Sequence, residues 1–221
     1  MKPARLKAAV LISGTGSNLK ALIDGVETGQ LALDIVRVVS NRADAGGIEY
    51  ARTANIPVSV ISHKACPDRQ AHDDAIINIL EGDQAELVIL AGYMRILGES
   101  FTTRFNGRMI NLHPSLLPLY KGLDTYARAL QAGDQETGAS IHIVTSGLDA
   151  GPVISQVRIP IESGDDVQSL RNKLGPLEHK LLVATVSRFC QRTISFKSGK
   201  VMDGKYELVH PLQMNHDGSF Q

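Results

Sequence analysis

Residues 7–18 read "KAAVLISGTGSN". After Lys7 the first half is an unbroken apolar run with Val10 and Ile12 in it, and no polar residue alternates with them. A strand of that kind is buried on both faces, as strands of a parallel sheet covered by helices are. The run stops at a glycine-rich loop. Leu19, Leu22, Ile23 and Val26 then recur at helical spacing. Strand, glycine loop, helix is the opening unit of a doubly wound α/β fold.

Working outward, the alternation persists. Strands are predicted at 33–41, 57–62, 86–92 and 107–113, and helices at 17–26, 45–55 and 68–81, the last capped by Asp68. Beyond residue 135, "ASIHIVTSG" (139–147) and "PVISQVRIPI" (152–161) read as an antiparallel pair joined through "LDAGP". Residues 165–191 carry apolar positions every three or four residues, with Pro176 predicting a kink or break. The tail, 192–221, reads as short strands and turns with a flexible end. The expected fold class is α/β: a doubly wound, mostly parallel sheet with an antiparallel strand pair added toward the C-terminus. Residues 1–192 form its main body and 193–221 the strands and tail of the same domain.

Composition narrows the function classes. The chain has 221 residues, of which 43% are apolar, which excludes a disordered chain. Lys plus Arg and Asp plus Glu both number 23, so no broad nucleic-acid or anionic-membrane surface is expected. Two cysteines far apart, Cys66 and Cys190, suggest neither a disulfide framework nor a zinc site. The basic start and short apolar run at the N-terminus resemble a leader only weakly and read as the first strand. No window approaches a membrane span. A soluble, reduced, cytoplasmic protein is expected.

The loop Gly14, Thr15, Gly16, Ser17, Asn18 opens a helix at the ligand-binding edge of the sheet, and its N–H groups and helix dipole suit an anion. It is a poor dinucleotide fingerprint. Leu19 stands where a third small residue belongs, and Asn41-Arg42 where a ribose-binding acid would. It is no P-loop either, so a single phosphate is the expected guest; the bland alternative is a tight turn with Ser17 or Asn18 capping the helix. On the same edge, "AGYMRIL" brings Arg95, and "MINLHPSLLP" (109–118) ends in Asn111 and His113. Asp149 joins them only if the hairpin folds its tip toward that edge. An amide that stabilises an oxyanion, an imidazole and a carboxylate suit acyl transfer to an amine, without a covalent intermediate. Each also has a structural alternative: His113 bonding backbone, Asn111 and Asp149 forming turns, Arg95 a surface charge.

These stretches, "VLISGTGSNL", "AGYMRIL", "INLHPSLLPLYKG" and "LDAGPVISQ", resemble the folate-dependent formyltransferases, and among them the phosphoribosylglycinamide formyltransferase family, in order from about residue 7 to 190. The resemblance implies a Rossmann-like formyltransferase fold and formyl transfer from 10-formyltetrahydrofolate, a co-substrate, to the amine of glycinamide ribonucleotide in purine synthesis, with no metal. It implies Asn111, His113 and Asp149 as the catalytic trio, with Asp149 holding His113 charged. The 14–18 loop would grip the substrate phosphate and Glu178 the glycinamide. Arg69, Met94, Arg95, Ile96, Leu97 and the segment Val144, Thr145, Ser146, Gly147, Leu148 would form the folate pocket. The implied partners are these two small molecules, with a homodimer as the candidate assembly.

The sequence also departs from the family. Asp124 and Tyr126 stand where some members have His, and Ala150 where many have Gly. Gly175 stands where some carry a phosphate-binding Lys, with Lys173 a candidate replacement. A formyltetrahydrofolate hydrolase, a nucleotide-binding oxidoreductase and a non-catalytic binding module are the alternatives. Residues 115–126 are the candidate mobile loop.

Overall fold

The computed structural model describes residues 5–221; of the basic N-terminal start weighed above, residues 1–4 lie outside them and Lys7 falls in the first strand. The first half alternates β1 (Leu6–Ile12), α1 (Ser17–Glu27), β2 (Leu33–Ser40), α2 (Gly47–Thr53), β3 (Val58–Val60), α3 (Arg69–Gly82), β4 (Leu87–Leu90), α4 (Glu99–Arg104) and β5 (Met109–His113). There follow α5 (Thr125–Ala132), β6 (Glu136–Ile143), β7 (Val153–Pro160) and α6 (Val167–Cys190). The tail holds β8 (Ile194–Lys197), β9 (Lys200–Asp203), β10 (Tyr206–Glu207) and β11 (Leu212–Gln213).

The main sheet runs β11-β7-β6-β5-β4-β1-β2-β3. β1 to β5 pair parallel, and β6 pairs antiparallel with both β5 and β7, so β6 alone opposes the rest. β11 lies parallel to β7. The remaining three strands form a separate antiparallel sheet in the order β10-β9-β8. The opening stretch behaves as its composition demands. Ala8, Val10 and Ile12 enter one core layer with Leu19 and Leu22 of α1 and Leu174 and Leu181 of α6. Ala9 and Leu11 enter the other, with Ile76 and Leu80 of α3 and Phe101 of α4. Strand order reverses between β1 and β4, and the crevice beyond their carboxyl ends is where such sheets hold ligands.

Three sequence expectations need correction. Of the kink or break expected at Pro176, the break does not occur: α6 is one helix from Val167 to Cys190. A proline clashes with the Cβ and N–H of the residue before it, and here that residue is Gly175, which has no Cβ. Second, β6 ends at Ile143, so residues 144–147 are loop rather than strand. Third, the chain end is pinned: Met214 bridges Phe220, and Gln221 N–H donates to the Gln213 carbonyl at 2.9 Å.

Candidate active site

Ser13, at the end of β1, ties the crevice together. Its hydroxyl donates to Asn41 Oδ1 at 2.6 Å and accepts from the Met94 N–H at 2.8 Å. One buried side chain thus joins the loops after β1, β2 and β4. On one flank, Gly16 precedes α1 with φ +79°, and no side chain caps the helix. The first-turn N–H groups of α1 are therefore left to an external acceptor, and the capping alternative for Ser17 and Asn18 is removed. Gly14, Thr15 and Ser17 are exposed there. The loop is held by backbone contact. Gly47 N–H donates to the Gly14 carbonyl at 3.2 Å, and a Cβ at Gly16 would run into Gly47 Cα. Gly16→Ala is expected to lower stability by about 1–3 kcal/mol through overpacking alone, read as a fall in Tm; an unchanged Tm would mean the contact gives way freely.

The other flank is built on β5. Asn111 and His113 are two residues apart, so they project from one face. β6 places His142 directly across from Asn111 and Ser140 across from His113. Ser140 Oγ accepts from Leu117 N–H at 3.1 Å and donates to the Ser115 carbonyl at 2.7 Å. It thereby fixes the turn that follows His113, with Leu116 and Leu117 buried. The hairpin tip does fold inward: Asp149 Oδ2 lies 3.4 Å from His113 Nδ1 and accepts the Gly122 N–H at 2.9 Å. Asp149 holds φ +44°, a left-handed conformation uncommon for a residue with a Cβ.

His142 is the residue sequence reasoning missed. Its Nδ1 is 2.9 Å from the Ile143 carbonyl, which only accepts, so Nδ1 carries the proton. Nε2 is then an acceptor, 3.1 Å from Asn111 Nδ2. That bond turns the Asn111 NH₂ inward, uses one of its two hydrogens and leaves the other for a ligand. The available signal was a histidine inside an apolar strand, "SIHIV".

Electrostatics amend one expectation. Burial pushes the His113 pKa below its usual 6.5, and the Tyr120 carbonyl and Asp149 only partly oppose this. The free site therefore favours neutral His113, with Nε2–H donating to the Tyr120 carbonyl at 2.9 Å, rather than the charged form expected from the sequence. Burial would raise the Asp149 carboxyl, but the Gly122 N–H it accepts and the positive charge that either neighbouring imidazole can take up, with His142 Nε2 3.6 Å from Oδ1 and His113 Nδ1 3.4 Å from Oδ2, outweigh it, and Asp149 stays below the ordinary carboxylate range. Because the folded pKa of His113 is depressed, the stability tied to its neutral form is complete above 6.5. It is lost as pH falls through the folded value. The Tm advantage of wild type over His113→Gln should therefore shrink between pH 7.5 and 5; a constant difference would contradict it.

The remaining residues divide. Arg69 lies beside Gly98 at the end of the Met94–Leu97 loop, its Cδ 3.9 Å from where a Gly98 Cβ would sit. Met94, Ile96, Leu123 and Leu148 leave large apolar side chains exposed, and Leu148 approaches Gly122 closely. Val144 is fixed by its N–H to the Met109 carbonyl at 2.8 Å, and 145–148 form the loop leading to Asp149. Among the described residues Glu178 makes no hydrogen bond or ion pair with the trio; it accepts from Tyr126 Oη at 3.0 Å. Burial raises its carboxyl, with the Tyr126 bond and the Arg171 charge opposing. Lys173 does not serve the loop, because its Nζ pairs with Glu162 and, at 2.9 Å, with Asp165. Of the 115–126 loop, residues up to Leu117 are anchored, while Leu119 and Leu123 are exposed.

Comparison with known proteins matches residues 6–186 to the formyl transferase family. The phosphoribosylglycinamide formyltransferase of Haemophilus influenzae is 39% identical over 90% of this chain and 94% of its own length. The trifunctional purine biosynthetic protein adenosine-3 of Bos taurus is 44% identical over 82% of this chain, which spans only 18% of that longer protein. The structure of phosphoribosylglycinamide formyltransferase from Coxiella burnetii superposes with a TM-score of 0.90 at 41% identity, covering 93% of this chain and 96% of that one. A formyltetrahydrofolate deformylase from Burkholderia mallei shares the fold at 30% identity and a TM-score of 0.81, with 70% of its chain covered. Fold, site and likeness over nearly the whole chain agree, and the chain belongs to the formyl transferase family.

Proposed function

We propose that the chain transfers a formyl group from 10-formyltetrahydrofolate to the amine of glycinamide ribonucleotide, a step of purine biosynthesis. The observation that carries the reading is the pairing of two ends of one crevice: an uncapped helix N-terminus, and an amide and imidazole with a carboxylate 3.4 Å from the ring. The phosphoribosylglycinamide formyltransferases above, covered over almost their full length, support the acceptor.

In this reading Gly14 to Asn18 hold the phosphate and Glu178 orients the glycinamide. Arg69, Met94 to Leu97 and Val144 to Leu148 receive the folate. The neutral amine attacks the formyl carbon, and the free Asn111 N–H stabilises the oxyanion. His113 adds a second donor once its Nε2–H leaves the Tyr120 carbonyl. Asp149 makes it favourable for His113 to take a second proton on Nδ1 as the oxyanion develops, and it orients a water that relays the amine proton toward N10 of the folate. The C–N bond to N10 then breaks and tetrahydrofolate leaves.

The test is folate turnover, followed by absorbance, with and without glycinamide ribonucleotide. Turnover that requires both substrates establishes the transferase. Release of formate with folate alone would favour the hydrolase, and silence in both would favour a binding module. A cytoplasmic setting, in keeping with the unpaired Cys66 and Cys190, and a homodimer complete the proposal; fractionation and solution mass test them. Among the described residues no helix is long and apolar enough to cross a membrane.

A further inference from the structure

β1 and β7 run in the same direction and each is followed by its helix, so α1 and α6 pack side by side and parallel. Their alignment is fixed at the far end: a Cβ on Gly25 of α1 would touch Val183 of α6 at 3.5 Å. Eight residues back along each helix, about 12 Å at 1.5 Å per residue, stand Ser17 and Gly175. The first turn of α1, with its unsatisfied amides, is therefore level with Gly175 of α6.

Arg171, Gly175 and Glu178 stand at i, i+4 and i+7 and share one helix face. Gly175 leaves that face open, since a Cβ there would meet nothing within 4 Å. Arg171 is exposed and has no carboxylate partner among the described residues. Its charge favours the ionised forms of both Glu178 and Tyr126, in keeping with its place on the face that Gly175 and Glu178 share. Lys173 is on the opposite side of the helix, held by Glu162 and Asp165.

We propose that Arg171 reaches across the gap at Gly175 and supplies the side-chain cation for the acceptor's phosphate, opposite the α1 amides. The assignment rests on the acceptor reading above. A planar guanidinium offers two parallel N–H donors to phosphate oxygens. The site then combines one side-chain charge with backbone donors, and it selects a phosphorylated acceptor over its nucleoside.

The test uses the full chain with glycinamide ribonucleotide and its 5′-dephosphorylated form, and inorganic phosphate as a competitor. Arg171→Gln should raise KM for the phosphorylated acceptor about tenfold, the low end for a hydrogen-bonded charge. The saturating rate and KM for folate should move far less. Phosphate should inhibit the variant more weakly, Arg171→Lys should recover much of the loss, and KM for the dephosphorylated acceptor should not change. If wild type prefers the phosphorylated acceptor and Arg171→Gln leaves that preference intact, Arg171 is not the ligand although the acceptor reading stands. Equal weakening of both acceptors would also overturn the proposal, because Arg171 would then act through Glu178. If wild type uses neither acceptor, or uses both alike, the acceptor reading itself fails.

Discussion

Asn111→Ala is expected to lower turnover about 10²–10³-fold, the cost of removing one oxyanion donor, while both substrates still bind. The expectation follows from the wiring of the amide. Its orientation is set two bonds away: the Ile143 carbonyl fixes the His142 tautomer, and His142 Nε2 draws one Asn111 hydrogen. The second hydrogen is already aimed when substrate arrives, so it costs no reorganisation. Alanine removes this donor and leaves His142 Nε2 without its partner, yet touches neither the 14–18 loop nor the folate-side loops. Rate at saturation should therefore fall with little change in folate affinity, measured by titration. A variant that turns over near the wild-type rate would remove Asn111 from the mechanism.

Asp149→Asn is expected to cost a similar factor, within the 10²–10⁴ range of general acid–base groups. Burial already lowers the His113 pKa, and Asp149 is one of the two influences opposing it. Neutralising the carboxylate leaves burial less opposed, so His113 moves further below 6.5 and a second proton on Nδ1 becomes costlier. The change should be visible as a downward shift of the His113 titration by NMR, alongside the loss in turnover. Because Asn can still accept the Gly122 N–H, the loop contact should survive. An unshifted His113 titration together with turnover within threefold of wild type would rule out this role.

Much of this was legible in the chain, for identifiable reasons. β1, β4 and β5 carry apolar runs whose only stable place is between two helical layers, and the alternation of strands with helices set the order of events. Asn111 and His113 stood out because polar residues interrupt such a run at its end, whereas Asp149 could be set beside them only on the condition that the hairpin tip folds inward, as it does. What escaped depended on pairing across the sheet. His142 matters because β6, running against its neighbours, sets it opposite Asn111; in one dimension it is a histidine among isoleucines. Ser13 escaped because its partners, Asn41 and Met94, are brought to it by two other strands. α4, with the sequence ESFTTR, is too short and too polar to show a helical stripe. Pro176 misled because Gly175, the residue that lets the helix continue, reads as a second breaker.

The two outermost strands of the main sheet are β3, with three residues, and β11, with two. An exposed strand edge is a template on which any extended chain can grow. β7, eight residues long and mostly buried, would be such a template if it stood last. β11 occupies two of its positions, Ser155 and Gln156, and the Met214 N–H takes the Gln156 carbonyl. The tail therefore contributes to the molecule's individuality as well as its shape: a stray strand meeting either border of the sheet finds only a few unpaired amides in a row.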